Sequence, residues 1–318
     1  MTVSYEDSLA VVVLPAVGGG RLEIPTLRRW LARTELQKAR VPGELLASIL
    51  QVMDLPYPGT GLGALRMWGQ TGDRPTVWIA AADPVYLEPR LDQLCLHALG
   101  SDSLPASEIR QLFDHLQQTL DGGAKYGFVT LGACSYLRAS ETIATAAMPP
   151  YVVHMDKPND YMPTGADAAA YRRLVSEVEM ALHDHEINIR RQDDGLPPIN
   201  CLWFWGGGYA PEQHAEPLPP LFADDPLLRG HWLSKAAPAR SWPGSIAACL
   251  DESRAGFVAV APAYDDPKLL MHCLQELRRA LQSGRLSHLQ LIFRDGIEAD
   301  ILRKHNWRLW RRSTELLN

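Results

Sequence analysis

Short apolar runs alternate along the chain with longer amphipathic stretches. Residues 9–14 (LAVVVL) are apolar and rich in β-branched side chains, and glycines at 18–20 lead into a helical pattern over 25–40, which reads as strand, loop and helix. A second glycine-rich segment at 59–69 (GTGLGALRMWG) introduces a short helix before an apolar run at 77–81. Between 87 and 148 the pattern changes to a strand, a helix over 107–120 with Ser107 as its N-cap, and two closely spaced strand-like runs. Prolines crowd 148–163, where they disfavour continuous helix or sheet and mark a linker. Beyond it, Leu174, Val178 and Leu182 share one face of a helix over 166–185, and an apolar strand at 200–205 runs into Gly206, Gly207 and Gly208. After a loose segment at 211–220, strands at 257–261 and 289–293 flank a helix at 267–281.

This order predicts the α/β class: a mainly parallel sheet with helices on both faces. The change of pattern in the middle predicts a core formed by residues 1–86 and 149–318, interrupted by a smaller α+β subdomain at 87–148.

The bulk properties narrow the function classes. In 318 residues, 46% are hydrophobic and 21% charged, which is ordinary globular usage. The formal net charge of -6 argues against a general nucleic-acid binder, which needs basic surface to neutralise phosphates. Apolar runs fall far short of the roughly 20 residues a membrane helix requires. The first residues carry acids and no basic leader, so a cytoplasmic protein is expected. The five cysteines are scattered without a CxxC pair, which fits reduced core thiols and predicts no metal site.

The densest candidate chemistry lies at 188–208 (NIRRQDDGLPPINCLWFWGGG). Three glycines at the carboxyl end of a strand permit close approach of an anion, and Arg190 or Arg191 offers a guanidinium to bind it. The same residues also fit a tight turn with solvated arginines. His183 and His185, two apart, face different sides of a helix and cannot share a metal; His185 suits a helix cap. The tail at 303–312 (RKHNWRLWRR) mixes basic and aromatic residues, suited either to docking a partner or to an edge strand with a buried tryptophan.

The run HDHEINIRRQDDGLPPINCLWFWGGGYAP resembles the archaeal-type cofactor-independent phosphoglycerate mutases of the alkaline phosphatase superfamily. It is closer still to bacterial RpfE-like regulatory proteins, through Asp83-Pro84-Val85-Tyr86-Leu87 and Trp203-Phe204-Trp205-Gly206-Gly207-Gly208. The resemblance implies an alkaline-phosphatase-like core and adds Asp83, Asn188, Asn200 and Trp205 to Arg190, Arg191, Gly206, Gly207 and Gly208 as ligand-binding candidates. It also aligns Gly59-Thr60-Gly61 with the enzymes' nucleophile loop, making Thr60 the one catalytic candidate. The enzymes need two cations held by carboxylates and imidazoles. Where they place an aspartate after the first strand, this chain has Pro15; the acid after the nucleophile is Gly61; and Asp265, Asp266 and Asp295 lack the accompanying histidines, His272 lying further along.

The leading expectation is a catalytically degenerate, regulatory or binding protein that takes a small anionic or phosphorylated ligand or a protein partner, needs no cofactor, and contacts neither membrane nor nucleic acid. Two alternatives stand beside it. One is an active metal-dependent phosphomutase or phosphatase using Mn or Zn around Thr60, Asp83 and Arg190. The other is an interaction protein acting through its basic aromatic tail.

Overall fold

The computed structural model describes residues 8–38, 43–91, 93–100, 104–120, 125–166, 168–263 and 266–302. The tail at 303–312 and Asp265 lie outside the described residues. The chain divides into two compact units, one formed by residues up to Tyr57 together with those from Gln213 onward, the other by Pro58–Glu212.

The first unit is α/β. Its seven-stranded sheet contains β1 (Leu9–Leu14), β2 (Glu35–Lys38), β8 (Leu221–Phe222), β9 (Ala239–Arg240), β10 (Gly256–Val260), β11 (His288–Phe293) and β12 (Ile297–Leu302) in the order β2-β12-β11-β1-β10-β8-β9. β11, β1, β10, β8 and β9 run parallel, while β12 and β2 join antiparallel at one edge. β1 and β10 are buried at nearly every position, as strands covered on both faces must be.

Helix α10 (Pro267–Ser283) shows how sequence sets an element. Asp266 accepts the Lys268 amide at 2.8 Å and Pro267 opens the first turn, while Gly284 ends the helix at φ 77°. Leu270, Cys273, Leu274, Leu277 and Leu281 recur at helical spacing and enter the core with Leu27, Trp30 and Leu31 of α1 (Pro25–Ala32). Each such side chain contributes about 1.5–3 kcal/mol of burial. The helix expected over 25–40 stops at Ala32, because the chain turns into the edge strand β2.

The second unit carries a five-stranded antiparallel sheet. It is formed by β3 (Ile79–Pro89), β4 (Leu94–Ala98), β5 (Tyr126–Leu131), β6 (Cys134–Ala139) and β7 (Cys201–Gly208). The long strand β3 pairs with β4, β6 and β7. The expected boundary at 87 therefore cuts through a strand, and residues 149–212 belong to this unit. It is also no small insertion, being comparable in length to the other unit. Helix α4 (Ala106–Thr119) packs on β5, and α6 (Ala168–His183) packs on α4 and β7. Pro105, not Ser107, holds the N-cap position of α4, and no side chain caps it.

Alternation in β7 explains its WFW run. Phe204 meets Tyr171 of α6 and Phe128 of β5 with ring centroids 6.5 Å apart in each case. Trp203 and Trp205 point to the opposite face, where the indole of Trp203 donates to the Met148 carbonyl at 2.8 Å. Both faces of the strand are thereby filled.

In the first unit, α8 (Pro226–Ser234) buries His231 against Trp232, ring centroids 5.7 Å apart. Burial, reinforced by the nearby Lys235 charge, pushes its imidazole down from 6.5 to about 4. The folded chain holds His231 neutral while the unfolded chain protonates near pH 6.5, so stability is full above that pH and is lost as pH falls towards 4. The loss attributable to this residue is about 3 kcal/mol. Urea unfolding of wild type and His231→Gln at pH 7 and pH 4.5 checks this: the wild type is expected to lose more stability between the two than the variant.

Candidate functional site

Within the second unit, β7 and the loop before α3 (Leu62–Thr71) meet backbone to backbone. Pairing of β7 with β3 shifts register between Ile79 and Ala81, and there Gly206 takes φ 61°. A Cβ on Gly208 would stand 2.6 Å from the Gly61 nitrogen, and one on Gly63 would stand 2.5 Å from the Ala81 nitrogen. The Gly61 amide donates to the Gly207 carbonyl at 3.3 Å. Glycine is therefore required here for chain-to-chain packing.

The amides of the triple glycine are largely committed. Gly206 donates to the Ala146 carbonyl and Gly207 to Thr145 Oγ1, each at 2.9 Å. Gly61 (φ 76°) is the N-cap of α3, no side chain caps it, and the first-turn residues Leu62, Gly63 and Ala64 are buried. The amides of its first turn have no intrahelical acceptor. Thr60 and Leu62 line a groove of about 1000 Å³ together with Thr142, Thr145, Tyr209 and the three glycines. Among the described residues lining it there is no Asp, Glu, His or Cys.

Asp83 belongs to a different cluster. Arg66, on α3, is only 8% exposed and lies between the rings of Tyr136 and Trp205, at 4.8 and 5.3 Å from their centroids. One guanidinium nitrogen donates to both Asp83 oxygens, at 2.8 and 3.0 Å, and the other to the Ser135 carbonyl at 2.6 Å. Trp205 Nε1 donates to Asp83 Oδ2 at 2.7 Å. Burial opposes the charge on Arg66, but the adjacent Asp83 carboxylate outweighs it and holds the guanidinium more firmly protonated than usual. Tyr136 donates to Gln70 Oε1 at 2.6 Å, extending the network. It fastens α3 to the sheet, and Asp83 also reaches a separate pocket of about 650 Å³ beside Ser135, Tyr151 and His154.

The other candidates in 188–208 are fastenings too. Asn188 is buried and spends its amide on the Leu182 and Ile199 carbonyls and the Ile199 amide, all at 2.8 Å. Asn200 exchanges two bonds with the backbone of Leu87, at 2.8 and 2.9 Å, prolonging the β3–β7 pairing. Arg191 is buried, donating to the Pro197 carbonyl at 2.9 Å and to Glu108 at 3.0 Å. Arg190 is exposed in the last turn of α7 (Glu186–Asp193). His185 is the N-cap of α7 and accepts the Ile187 amide at 3.2 Å. It thus caps a helix as a neutral acceptor, and burial followed by the charge of His115 lowers its pKa accordingly.

In the first unit, Pro15 follows β1, and Asp295 Oδ2 accepts the amides of Val17 and Gly18 at 3.0 and 2.7 Å. Asp266 caps α10, while His272 pairs with Glu276 at 3.3 Å. Arg66 is the residue that sequence reasoning missed. Its signal was a lone charge within the apolar helix LGALRMWG.

No family model matches the chain. Over 68 residues, 21% of the chain, it is 34% identical to the 2,3-bisphosphoglycerate-independent phosphoglycerate mutase of Methanosarcina acetivorans, and over 109 residues 29% identical to that of Methanothrix thermoacetophila. The matched stretches span 17% and 27% of those enzymes' lengths. They mark partial homology to cofactor-independent phosphoglycerate mutases of archaeal type. Among solved structures, the PH0037 protein of Pyrococcus horikoshii aligns with 93% of this chain and 87% of its own at a TM-score of 0.50 and 13% identity, a likeness of fold. The cofactor-independent phosphoglycerate mutase of Thermoplasma acidophilum aligns with 92% of this chain and 89% of its own at a TM-score of 0.44 and 16% identity. Among the described residues no helix is long and apolar enough to cross a membrane.

Replacing Asp83 by Ala strands a buried guanidinium, and the expected cost is about 3–5 kcal/mol in urea unfolding. A change within about 0.5 kcal/mol, the usual range for a surface site, contradicts the fastening role.

Proposed function

We propose that this chain is a phosphoglycerate-mutase-like protein that has given up phosphotransfer and binds a small phosphorylated anion in the Thr60 groove, in a regulatory role of the RpfE-like kind. One observation carries the reading: the groove that holds the nucleophile-like Thr60 offers threonine hydroxyls beside the uncapped start of α3, with no metal-ligating side chain among its described lining residues. Among the described lining residues nothing offers a base or a cation ligand to activate that hydroxyl. The uncapped start of α3 still favours negative charge through its dipole.

Partial homology to the mutases supports the phosphorylated class of ligand. The degenerate reading is supported separately by Pro15 after β1, where the resembled enzymes carry an acid, and by Asp295 being taken up in holding the following loop. Asp83 contributes by holding α3 to the sheet through Arg66, and Arg191 by tying α7 to α4 through Glu108. Neither serves as a ligand contact in this reading.

Two measurements on the purified chain test it. Interconversion of 2- and 3-phosphoglycerate with added Mn or Zn is expected to stay at the level of the protein-free blank, while calorimetry detects binding of 3-phosphoglycerate that weakens about tenfold in Thr60→Val, the loss of one bond to a charged group. Metal-dependent turnover abolished by Thr60→Ala overturns the degenerate reading. Unaltered binding in Thr60→Val removes the groove as the site.

A further inference from the structure

The β3–β4 hairpin carries a cluster that plays no part in the groove. Glu88 lies directly opposite Cys95 in the ladder and Tyr86 opposite His97. Cross-strand partners share a face, and so do residues two apart, so Glu88, Cys95 and His97 converge on one side of the hairpin. Leu87 and Leu96, on the other side, are buried. A carboxylate oxygen, the thiol sulfur and an imidazole nitrogen of the three lie within 4.8 Å of one another, and His97 Nε2 is 3.0 Å from Glu88 Oε2.

We propose that Glu88, Cys95 and His97 form a binding site for a single divalent transition metal, with zinc the best match. Zinc accepts mixed sulfur, nitrogen and oxygen donors at about 2.0–2.3 Å, so donor atoms in a tetrahedral shell stand roughly 3.3–3.8 Å apart. Small side-chain rotations close the present spacing to that value. The set is chemically selective, because a thiolate with an imidazole disfavours magnesium and calcium, which take oxygen ligands. With three protein donors the fourth corner stays open to water, the arrangement of a reactive rather than a purely structural centre.

Neighbouring groups hold the donors in place. Tyr86 stacks on the His97 ring at 5.6 Å, and His154 meets it edge-on at 5.9 Å while its Nδ1 accepts the Ala98 amide at 3.1 Å. Strand β4 is pinned at Leu96 by exchange with Asp156 and Met155, at 3.1 and 2.8 Å. Arg90, 3.0 Å from Glu88 Oε2, is a competing cation and limits affinity.

Titration of the reduced full-length chain with Co(II) is the test. One equivalent is expected to produce a thiolate-to-cobalt charge-transfer absorption that Zn(II) quenches and that Cys95→Ser removes. Glu88→Gln and His97→Gln, with folding verified by circular dichroism, are expected to weaken binding at least about tenfold. Absence of the absorption, or its persistence in Cys95→Ser, overturns the proposal. If Cys95→Ser does not fold, Glu88→Gln decides, and unchanged Co(II) affinity there overturns it. Thr60 lies outside this cluster, so either result leaves the groove reading standing on its own measurements.

Discussion

Two stretches of backbone in residues 58–212 come together with no Cβ between them, and much of that unit is arranged around the approach. Gly61 and Gly63 open α3, and Gly206, Gly207 and Gly208 close β7. A side chain at Gly207 would stand 2.4 Å from the ring of Trp78, and one at Gly63 would press into the backbone of Ala80 and Ala81. Because the helix start sits so tightly on the strands, Arg66 one turn later reaches Asp83 and Trp205 at hydrogen-bonding distance. That buried pair is a costly device unless fully satisfied. Here both carboxylate oxygens, the indole and the Ser135 carbonyl take part, while the buried Arg66 Nε has no partner.

The same approach decides what the glycine run can do. Two of its amides are already engaged with Ala146 and Thr145, so what the groove offers a ligand is its threonine hydroxyls and the positive end of α3 beside Thr60. On the proposed reading, a phosphotransfer scaffold retains the feature that attracts an anion while lacking the groups that would activate a hydroxyl. Binding without chemistry follows from that division.

Much of the framework was legible in the sequence, because local signals and burial agree. The strand at 9–14 and the helix begun by Asp266 and Pro267 and ended near Gly284 announce themselves through apolar runs, caps and periodicity. Two-residue strands such as β8 and β9 carry no periodicity to detect. The domain boundary was misplaced because β3 is continuous through position 87, and its pairing with β7 joins residues more than a hundred positions apart. Asn188, Asn200 and Arg191 look like ligand contacts when only their polarity is visible. Their partners are backbone carbonyls and amides, together with Glu108, and only the folded chain reveals those. Arg66 gave the opposite error, since a single charge in an apolar helix announces no partner.

The close approach at Gly63 can be tested by the sign of one free-energy change. In an ordinary helix, replacing Gly by Ala stabilises by about 0.5–1 kcal/mol. At Gly63 the added methyl meets backbone that cannot move aside, and urea unfolding of Gly63→Ala is expected to show a loss of about 1–3 kcal/mol with an unchanged denaturant slope. A Gly63→Ala protein as stable as the wild type, or more stable, contradicts the account.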